Sequence, residues 1–339
     1  MTTTVAVDAM GGDHGLSVTI PACISAVERN PDLNLIMVGR SQDIEDRLGA
    51  NMARFGDRLR IRQASEIVTM DEAPGLALRN KKDSSMRVAI NAVKSGEAQA
   101  CVSAGNTGAL MAGARFVLKT LPGIDRPAIV GKIPSLRGHV HMLDLGANVD
   151  SPAYLLLQFA VMGSILVKYL ENKPRPSVGL LNIGVEDIKG NEVVKEASRL
   201  MRGSNLNFAG YVEGDAIYTG DVDVIVCDGF DGNVSLKTSE GLAQFIAKLM
   251  REEFNSNILT RVAGLMAIPV INRFRKRIDH RRYNGAAFVG LNGIVIKSHG
   301  GADVLAFRQA ITEAIQQVQH QVPENIRAEL AQLMQGTAV

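Results

Sequence analysis

One pattern recurs along the chain and restricts the folds that it can adopt: a short apolar run, a turn rich in Gly, Asn and Asp, and then a longer segment with helical periodicity. Short buried strands that alternate with helices form βαβ units. The pattern therefore predicts an α/β fold, with a doubly wound, mostly parallel sheet covered by helices on both faces. It occurs at residues 5–27, 99–119, 139–159, 177–201, 222–250 and 293–318.

The same pattern indicates where a ligand would bind. In an open α/β sheet, the loops that follow the carboxyl ends of parallel strands meet at one edge, and ligands bind there. Glycines allow close approach of the backbone, and free N–H groups at helix N-termini bind anions. Several such loops at one edge favour a ligand that carries phosphate. The alternative is that these polar residues only form turns and helix caps.

Composition excludes some classes of protein. The 339 residues are 46% hydrophobic and 21% charged, with a formal net charge of +2, as in a soluble enzyme without a general attraction for nucleic acid. Three cysteines without a C-x-x-C pair (Cys23, Cys101 and Cys227) favour a reducing cytoplasm over disulfides or a zinc cluster. Residues 1–4 lack the pattern of a signal peptide. With no linker of low complexity, residues 1–339 are expected to form a single domain.

The uncharged stretch from Ser151 to Val167 tests for a membrane span. It is shorter than the roughly 20 apolar residues that a spanning helix needs, and it contains Gln158 and Ser164. It predicts a helix buried in the core, or else in a subunit interface.

Familiar phosphate-binding motifs are missing from the sequence. It has no G-x-x-x-x-G-K-[ST] loop, and no G-x-G-x-x-G follows a predicted strand. A P-loop kinase and a standard nicotinamide-binding fold are therefore disfavoured, and zincin and protein-kinase signatures are absent as well.

Six longer motifs occur in one order along nearly the whole chain, and together they resemble the bacterial phosphate acyltransferases of phospholipid synthesis. They are VAVDAMGGDHG (5–15), KKDSSM (81–86), SAGNTGAL (103–110), DLGANVD (144–150), VCDGFDGNVSLKTSEG (226–241) and NGIVIKSHGGAD (292–303).

The resemblance implies a reaction and its partners. A fatty acyl group would pass from acyl carrier protein to inorganic phosphate, giving acyl phosphate for a membrane glycerol-phosphate acyltransferase. The fold would be similar to phosphate acetyltransferases and the isopropylmalate dehydrogenase group. The protein would be a cytoplasmic homodimer, peripherally associated with the inner face of the cell membrane. No cofactor, metal or nucleic acid is expected.

The chemistry of a thioester sets what the site must supply. Its thiol, with a pKa of about 8.5, leaves easily, so positioning of phosphate and stabilisation of the oxyanion are sufficient. We assign catalytic roles to Lys297, His299 and Asn106, with His299 as proton donor to the sulfur. Asn233 is expected to cap a helix, with Lys237 one turn inside it. The substrate-binding candidates are Asp8, Gly12, Asp13, Lys81, Lys82, Ser103, Gly105, Thr107, Asp144, Asn148, Asp228, Gly229, Asn233 and Lys237.

Other reactive side chains receive structural interpretations. Cys101 and Cys227 are expected to be small buried hydrophobes, since no base is tied to either by spacing. His139 and His141 alternate within one strand, and we expect them to point to opposite faces, which argues against joint metal binding.

Residues 257–283 predict an amphipathic basic hairpin. Apolar residues at helical spacing precede Pro269 and cations follow it, so two helices are expected to meet near 267–269. An apolar tip beside positive charge suits an anionic membrane surface or the acidic carrier protein, whereas a solvated helix over a core hairpin is the structural alternative. The contact candidates are Leu265, Met266, Arg273, Arg275, Lys276 and Arg277, with Arg281 and Arg282 completing the cluster.

Two other functions remain open. A metal- and nicotinamide-dependent dehydrogenase of the isopropylmalate or hydroxythreonine-phosphate group would require both cofactors, and a non-catalytic membrane scaffold would use only the basic hairpin.

Overall fold

The computed structural model describes residues 2–333, except for the side chains of residues 275, 276, 278 and 280. Strands β1–β11 are Thr3–Asp8, Leu33–Gly39, Leu59–Gln63, Ala100–Ser103, Ala128–Ser135, Gly138–Leu143, Ser177–Leu181, Asn207–Val212, Val224–Val226, Ala286–Val289 and Ile294–Lys297. Helices α1–α12 are Leu16–Arg29, Ser41–Leu48, Asn51–Phe55, Pro74–Asn80, Ser85–Lys94, Thr107–Leu118, Ala153–Leu170, Glu192–Gly203, Gly229–Asn255, Ile258–Ile278, Val304–Gln319 and Val322–Leu333. Short 3₁₀ helices lie at Gly56–Arg58, Asp215–Tyr218 and His280–Tyr283.

The described strands form one sheet in the order β3-β2-β1-β4-β11-β10-β5-β6-β9-β7-β8. Neighbours from β3 to β11 are parallel, and so are those from β6 to β8. Between these two groups, β10 is antiparallel to both β11 and β5, and β5 is antiparallel to β6. The predicted mostly parallel sheet is confirmed, but β6, β9, β7 and β8 run opposite to β1, β4 and β11.

Helices cover both faces of the sheet. One apolar cluster packs α1, α7 and α11 against one face, with Phe159 and Phe307 fully buried in it. On the other face, α4, α5, α6 and the start of α9 pack through residues that include Ile90, Leu110 and Leu236. The expected two-faced arrangement is therefore present.

Helix α7 contains the apolar stretch that was tested as a membrane span. By length and composition this helix is able to cross a membrane, but residues 155–167 are all buried in the core. The prediction of a core helix is confirmed.

Helices α9 and α10 form a long hairpin whose turn differs from the prediction. Asn257 begins α10 with a capping box: its side chain accepts from the N–H of Thr260, and the Thr260 hydroxyl accepts from the N–H of Asn257. The arms therefore meet at 256–257, and Pro269 lies inside α10. The expected meeting point near 267–269 is wrong, because a strong cap starts this helix while proline removes only one backbone donor from an exposed helix. Residues 257–283 cover only the second arm and the 3₁₀ turn after it.

Candidate active site

Three adjacent parallel strands bring the first functional residues together. Val7 of β1 pairs with Val102 of β4, and Ser103 of β4 pairs with Lys297 of β11. Asp8, Ser103 and Lys297 consequently lie side by side at the carboxyl ends of their strands. We call the turns that follow these three strands, with these residues, the Lys297 edge.

Asp8 is the buried carboxylate of this edge. Its Oδ2 accepts a hydrogen bond from the Ser103 hydroxyl at 2.6 Å, and the Gly105 N–H donates to Ser103 Oγ at 3.0 Å. Burial raises the pKa of Asp8, and the hydrogen bond from Ser103 offsets this only in part. A Cβ at Gly11 would lie 2.6 Å from Asp8 Oδ2, so the turn must have glycine there. Asp8 therefore organises two glycine turns.

Lys297 is the buried cation beside it. The side chain is 8% exposed, and Nζ donates to the carbonyl oxygens of Ala104, at 3.2 Å, and Ser298. Burial lowers the pKa of Lys297 to about 8, the negative charges of Asp13 and Asp8 oppose this, and the positive charge of Lys237 adds to it. A cation with a pKa near neutrality in a buried site is suited to binding a phosphate.

The turns after β1 and β11 are locked together. The Asp13 N–H donates to Gly300 O at 2.9 Å, and a Cβ at Gly12 would lie 2.9 Å from that same oxygen. His299 is exposed, and its Nδ1 accepts from the Gly301 N–H at 3.1 Å. When the ring is neutral, this bond places its proton on Nε2.

Asn106 is held by three hydrogen bonds to the backbone. Its Oδ1 caps α6 by accepting from the Ala109 N–H at 2.9 Å, and its Nδ2 donates to Met70 O at 2.8 Å and Glu72 O at 3.0 Å. Both amide hydrogens are thus committed to backbone carbonyls, which favours a positioning role over a catalytic one. Asn106 anchors residues 67–72, which we call the cover segment.

Lys81, a substrate-binding candidate, makes its contacts with the cover segment. Lys81 Nζ lies 2.7 Å from a carboxylate oxygen of Glu72 and donates to Ile67 O at 2.5 Å. Its charge is therefore already paired within the segment. Lys82 and Thr107 are exposed, and Thr107 is the first residue of α6, next to the Lys297 edge.

A second group of candidates lies elsewhere. Strand β5 runs in the same direction as β4 and β11, because β10 between them is antiparallel to both β11 and β5. Since β6 is antiparallel to β5 and parallel to β9, the carboxyl ends of β6 and β9 lie at the sheet edge opposite that of β4 and β11. We call this region the Asp144 edge. The expectation that all the loops gather at one edge is wrong for this half of the sheet, because three successive antiparallel pairings between β11 and β6 reverse the strand direction. The candidates placed there are Asp144, Asn148, Asp228 and Gly229.

The Asp144 edge is tightly hydrogen-bonded. Asp144 is fully buried and accepts from the N–H groups of Ile129 at 2.8 Å, Ala147 at 3.1 Å and Asn148 at 2.7 Å. The Gly229 N–H donates to Asn148 O at 2.8 Å. Burial raises the pKa of Asp144, and these bonds offset it in part. This cluster joins the start of α9 to the sheet.

Two expectations about α9 are wrong. Asp228, not Asn233, caps the helix, and its Oδ1 accepts from the Asp231 N–H at 2.8 Å. Lys237 lies about two turns inside the helix rather than one, and it pairs with Glu240 at 2.8 Å. Lys237 lies close enough to the Lys297 edge for its positive charge to contribute to the lowered pKa of Lys297.

His139 and His141 do not point to opposite faces. Residues two apart in a strand share a face, so that expectation misread the period of a strand. The two rings are 5.1 Å apart, and Glu171 Oε1 lies 2.6 Å from His139 Nε2 and 3.4 Å from His141 Nδ1. These three side chains have the donor types of a metal site. However, Lys173 lies 3.4 Å from Glu171 Oε2 and supplies the positive charge that a metal would bring.

The three cysteines are buried, and burial raises the pKa of each thiol, to about 12 for Cys23. Because the thiolate is the nucleophile, this favours the structural interpretation of Cys101 and Cys227.

The hairpin carries an exposed apolar surface. Leu265 is 67% and Met266 79% exposed, and Arg273 and Arg277 are exposed on the same helix. The side chains of Arg275 and Lys276 lie outside the described residues. Arg281 belongs to the base of the hairpin, where it pairs with Asp279 and Asp303, each at 2.8–2.9 Å.

Sequence reasoning missed Glu72, Ser298 and Asn284. Ser298 directly follows Lys297, and its N–H donates to Ser103 O at 2.9 Å. Glu72 and Asn284 do not follow a strand, so the pattern of strand, turn and helix gave no signal for them.

Comparison with known proteins identifies the family. A sequence profile of the family described as "Fatty acid synthesis protein" matches residues 3–325. The phosphate acyltransferase of Methylococcus capsulatus is 59% identical over 324 residues, which cover 96% of each chain. The chain belongs to this family.

Two solved structures share the fold at low sequence identity. A phosphotransacetylase from Streptococcus pyogenes, 16% identical, superposes with a TM-score of 0.60 over 94% of each chain. A 4-hydroxythreonine-4-phosphate dehydrogenase from Klebsiella pneumoniae, 15% identical, gives 0.51 over 94% of this chain and 99% of that one. The expected likeness of fold to phosphate acetyltransferases is confirmed.

Proposed function

We infer that the protein transfers a fatty acyl group from acyl carrier protein to inorganic phosphate at the Lys297 edge. The observation that carries this assignment of the site is a buried lysine enclosed by three glycine-containing turns, one of which leads into the N-terminus of α6. Membership of a family with phosphate acyltransferases supports the reaction.

The reaction needs only positioning and charge stabilisation. A phosphate oxygen attacks the thioester carbon, the C–S bond breaks, and the proton of hydrogen phosphate passes to the leaving sulfur. The Lys297 ammonium holds the phosphate, and the Nε2–H of His299 donates a hydrogen bond to the oxyanion. In this scheme His299 need not protonate the sulfur, because hydrogen phosphate already carries the proton that the leaving thiol takes up.

The decisive experiment incubates the purified protein with acyl carrier protein loaded with a fatty acid. Free thiol should appear only when phosphate is added, in amounts matched by acyl phosphate trapped with hydroxylamine. Neither nucleotide nor Mg²⁺ should change the rate. Reduction of a nicotinamide that depends on a hydroxy-acid substrate would instead support the dehydrogenase, and no turnover under any condition would support the scaffold.

We extend the proposal to the hairpin, whose exposed apolar residues and cations suit an anionic bilayer. A double variant, Leu265→Glu with Met266→Glu, should lose at least about tenfold in affinity for vesicles containing anionic lipid, because two carboxylates replace the apolar side chains that would enter the bilayer. Co-sedimentation with vesicles measures this.

The matched control is Ile183→Glu with Ile188→Glu, which adds the same charge at residues 78% and 84% exposed outside the hairpin. Undiminished binding of the hairpin variant would exclude the bilayer contact. If vesicle binding is unchanged while the KM for the acylated carrier protein rises, the surface docks the carrier instead.

The remaining parts of the proposal follow from the family resemblance. We place the protein in the cytoplasm at the inner face of the membrane, as a single-domain homodimer. Acyl phosphate is a reactive mixed anhydride, so a nearby membrane glycerol-phosphate acyltransferase is the proposed consumer. One sheet through the described residues supports the single domain.

A further inference from the structure

Asn284 makes three hydrogen bonds to the turn that carries the proposed catalytic residues. It stands between the 3₁₀ turn His280–Tyr283 and β10. Its Nδ2 donates to Ser298 Oγ at 2.8 Å and to Ala306 O at 2.7 Å, and its Oδ1 accepts from the His299 N–H at 3.0 Å. One side chain thus binds the turn after β11 and the first turn of α11 together.

The residue held most directly is Ser298, which is fully buried. Its N–H donates to Ser103 O at 2.9 Å, and its carbonyl accepts from Lys297 Nζ. Ser298 is therefore fixed by Asn284 on its side chain and by the Lys297 edge on its backbone. A shift of Ser298 would move an acceptor of the Lys297 ammonium.

His299 is held through its backbone. With the His299 N–H bound to Asn284 and its ring Nδ1 bound to Gly301, both ends of the residue are fixed. Fixing the backbone and the ring sets the direction in which Nε2–H points, which a catalytic hydrogen bond requires.

We propose that Asn284 is a positioning residue for Lys297 and His299, a role that rests on the function proposed above. An asparagine is needed because the site requires two donors and one acceptor on one short planar group. An aspartate at this position keeps the acceptor for the His299 N–H and can accept a hydrogen bond from the Ser298 hydroxyl. It has no donor for the carbonyl oxygen of Ala306, and its negative charge repels that oxygen.

The chain provides a matched control at the other end of the β10–β11 hairpin. Asn292 Nδ2 donates to Leu118 O at 3.2 Å and Thr120 O at 2.7 Å, and its Oδ1 accepts from Arg327 at 2.9 Å. The chemistry matches that of Asn284, but these contacts lie at the end of the hairpin away from Lys297. Loss of either set should lower the melting temperature by a similar amount.

The test compares Asn284→Ala, Asn284→Asp and Asn292→Ala in phosphate-dependent thiol release across pH, at a temperature where circular dichroism shows all to be folded. Asn284→Ala should lower kcat by at least about tenfold and shift the basic limb of the pH profile. Asn284→Asp should fall between it and the wild type, and Asn292→Ala should keep the wild-type kcat and profile.

Equal kcat values and pH profiles for Asn284→Ala and Asn292→Ala would overturn the proposal and leave Asn284 a structural residue. If Asn284→Ala does not fold, Asn284→Asp decides the question by the same comparison. Failure of the proposed function would give a different result from failure of the role of Asn284. In that case the wild-type protein would release no thiol on addition of phosphate, or a Lys297 variant would keep full activity.

Discussion

Replacing Lys297 with Met is expected to lower phosphate-dependent thiol release by about 100-fold or more, because the buried cation that holds the phosphate is lost while its apolar stem remains. The measurement is the initial rate of thiol release at saturating acylated carrier protein, as a function of phosphate concentration. Lys195→Met on α8, which replaces a surface lysine paired with Glu192, is the matched control and should keep the wild-type rate.

Stability separates a catalytic loss from unfolding in this experiment. Burial lowers the pKa of Lys297 from 10.5 to about 8, so below pH 8 the folded protein carries a buried ammonium at a cost of up to roughly 3 kcal/mol. Between pH 8 and 10.5 the unfolded chain binds more protons, and the wild-type free energy of unfolding should rise with pH. Lys297→Met should lack this rise and be at least as stable as the wild type at pH 7.

The same pKa predicts the activity profile of the wild type. The ammonium is lost as pH rises through about 8, so the rate at low phosphate should fall there. If Lys297→Met keeps full activity and the basic limb of its pH–rate profile is unchanged, Lys297 does not bind the phosphate. The Asp144 edge would then be the alternative position for the active site.

The largest expected effect on stability is at Gly232. A Cβ at this position would lie 1.9 Å from the backbone oxygen of Asp144 and 2.9 Å from Cys227 Sγ, so α9 must shift away from the sheet to accept alanine. Gly232→Ala should therefore cost about 3 kcal/mol or more of unfolding free energy, measured by urea denaturation.

Gly241, in the same helix, is the control. A Cβ there would have no atom within 4 Å, so Gly241→Ala should stabilise by about 0.5–1 kcal/mol through helix propensity alone. A similar effect of the two substitutions would show that the start of α9 does not pack against the Asp144 edge as described.

The helix starts show how far local sequence can predict structure. The strand, turn and helix predicted for the first occurrence of the pattern are present as β1, residues 9–15 and α1. Asn106 was chosen for chemistry but acts as a cap and an anchor of the cover segment, because its partners are carbonyls far away in the sequence. No spacing rule reveals such partners.

The error over His139 and His141 had a different origin. The period of two was in the sequence, and applying it correctly would have placed both rings on one face. Glu171, which joins them, comes from the end of α7 and was accessible only from the fold.

The sequence by itself determined the alternation of strands and helices, the glycines of the turns, the apolar core helix α7 and, through its motifs, the family. These properties depend on neighbours within a few turns of chain or on the order of motifs. The tertiary structure decided the direction of each strand. Three antiparallel pairings, β11 with β10, β10 with β5 and β5 with β6, separate Lys297 from Asp144, because pairing partners are chosen by packing across the whole sheet rather than by local pattern.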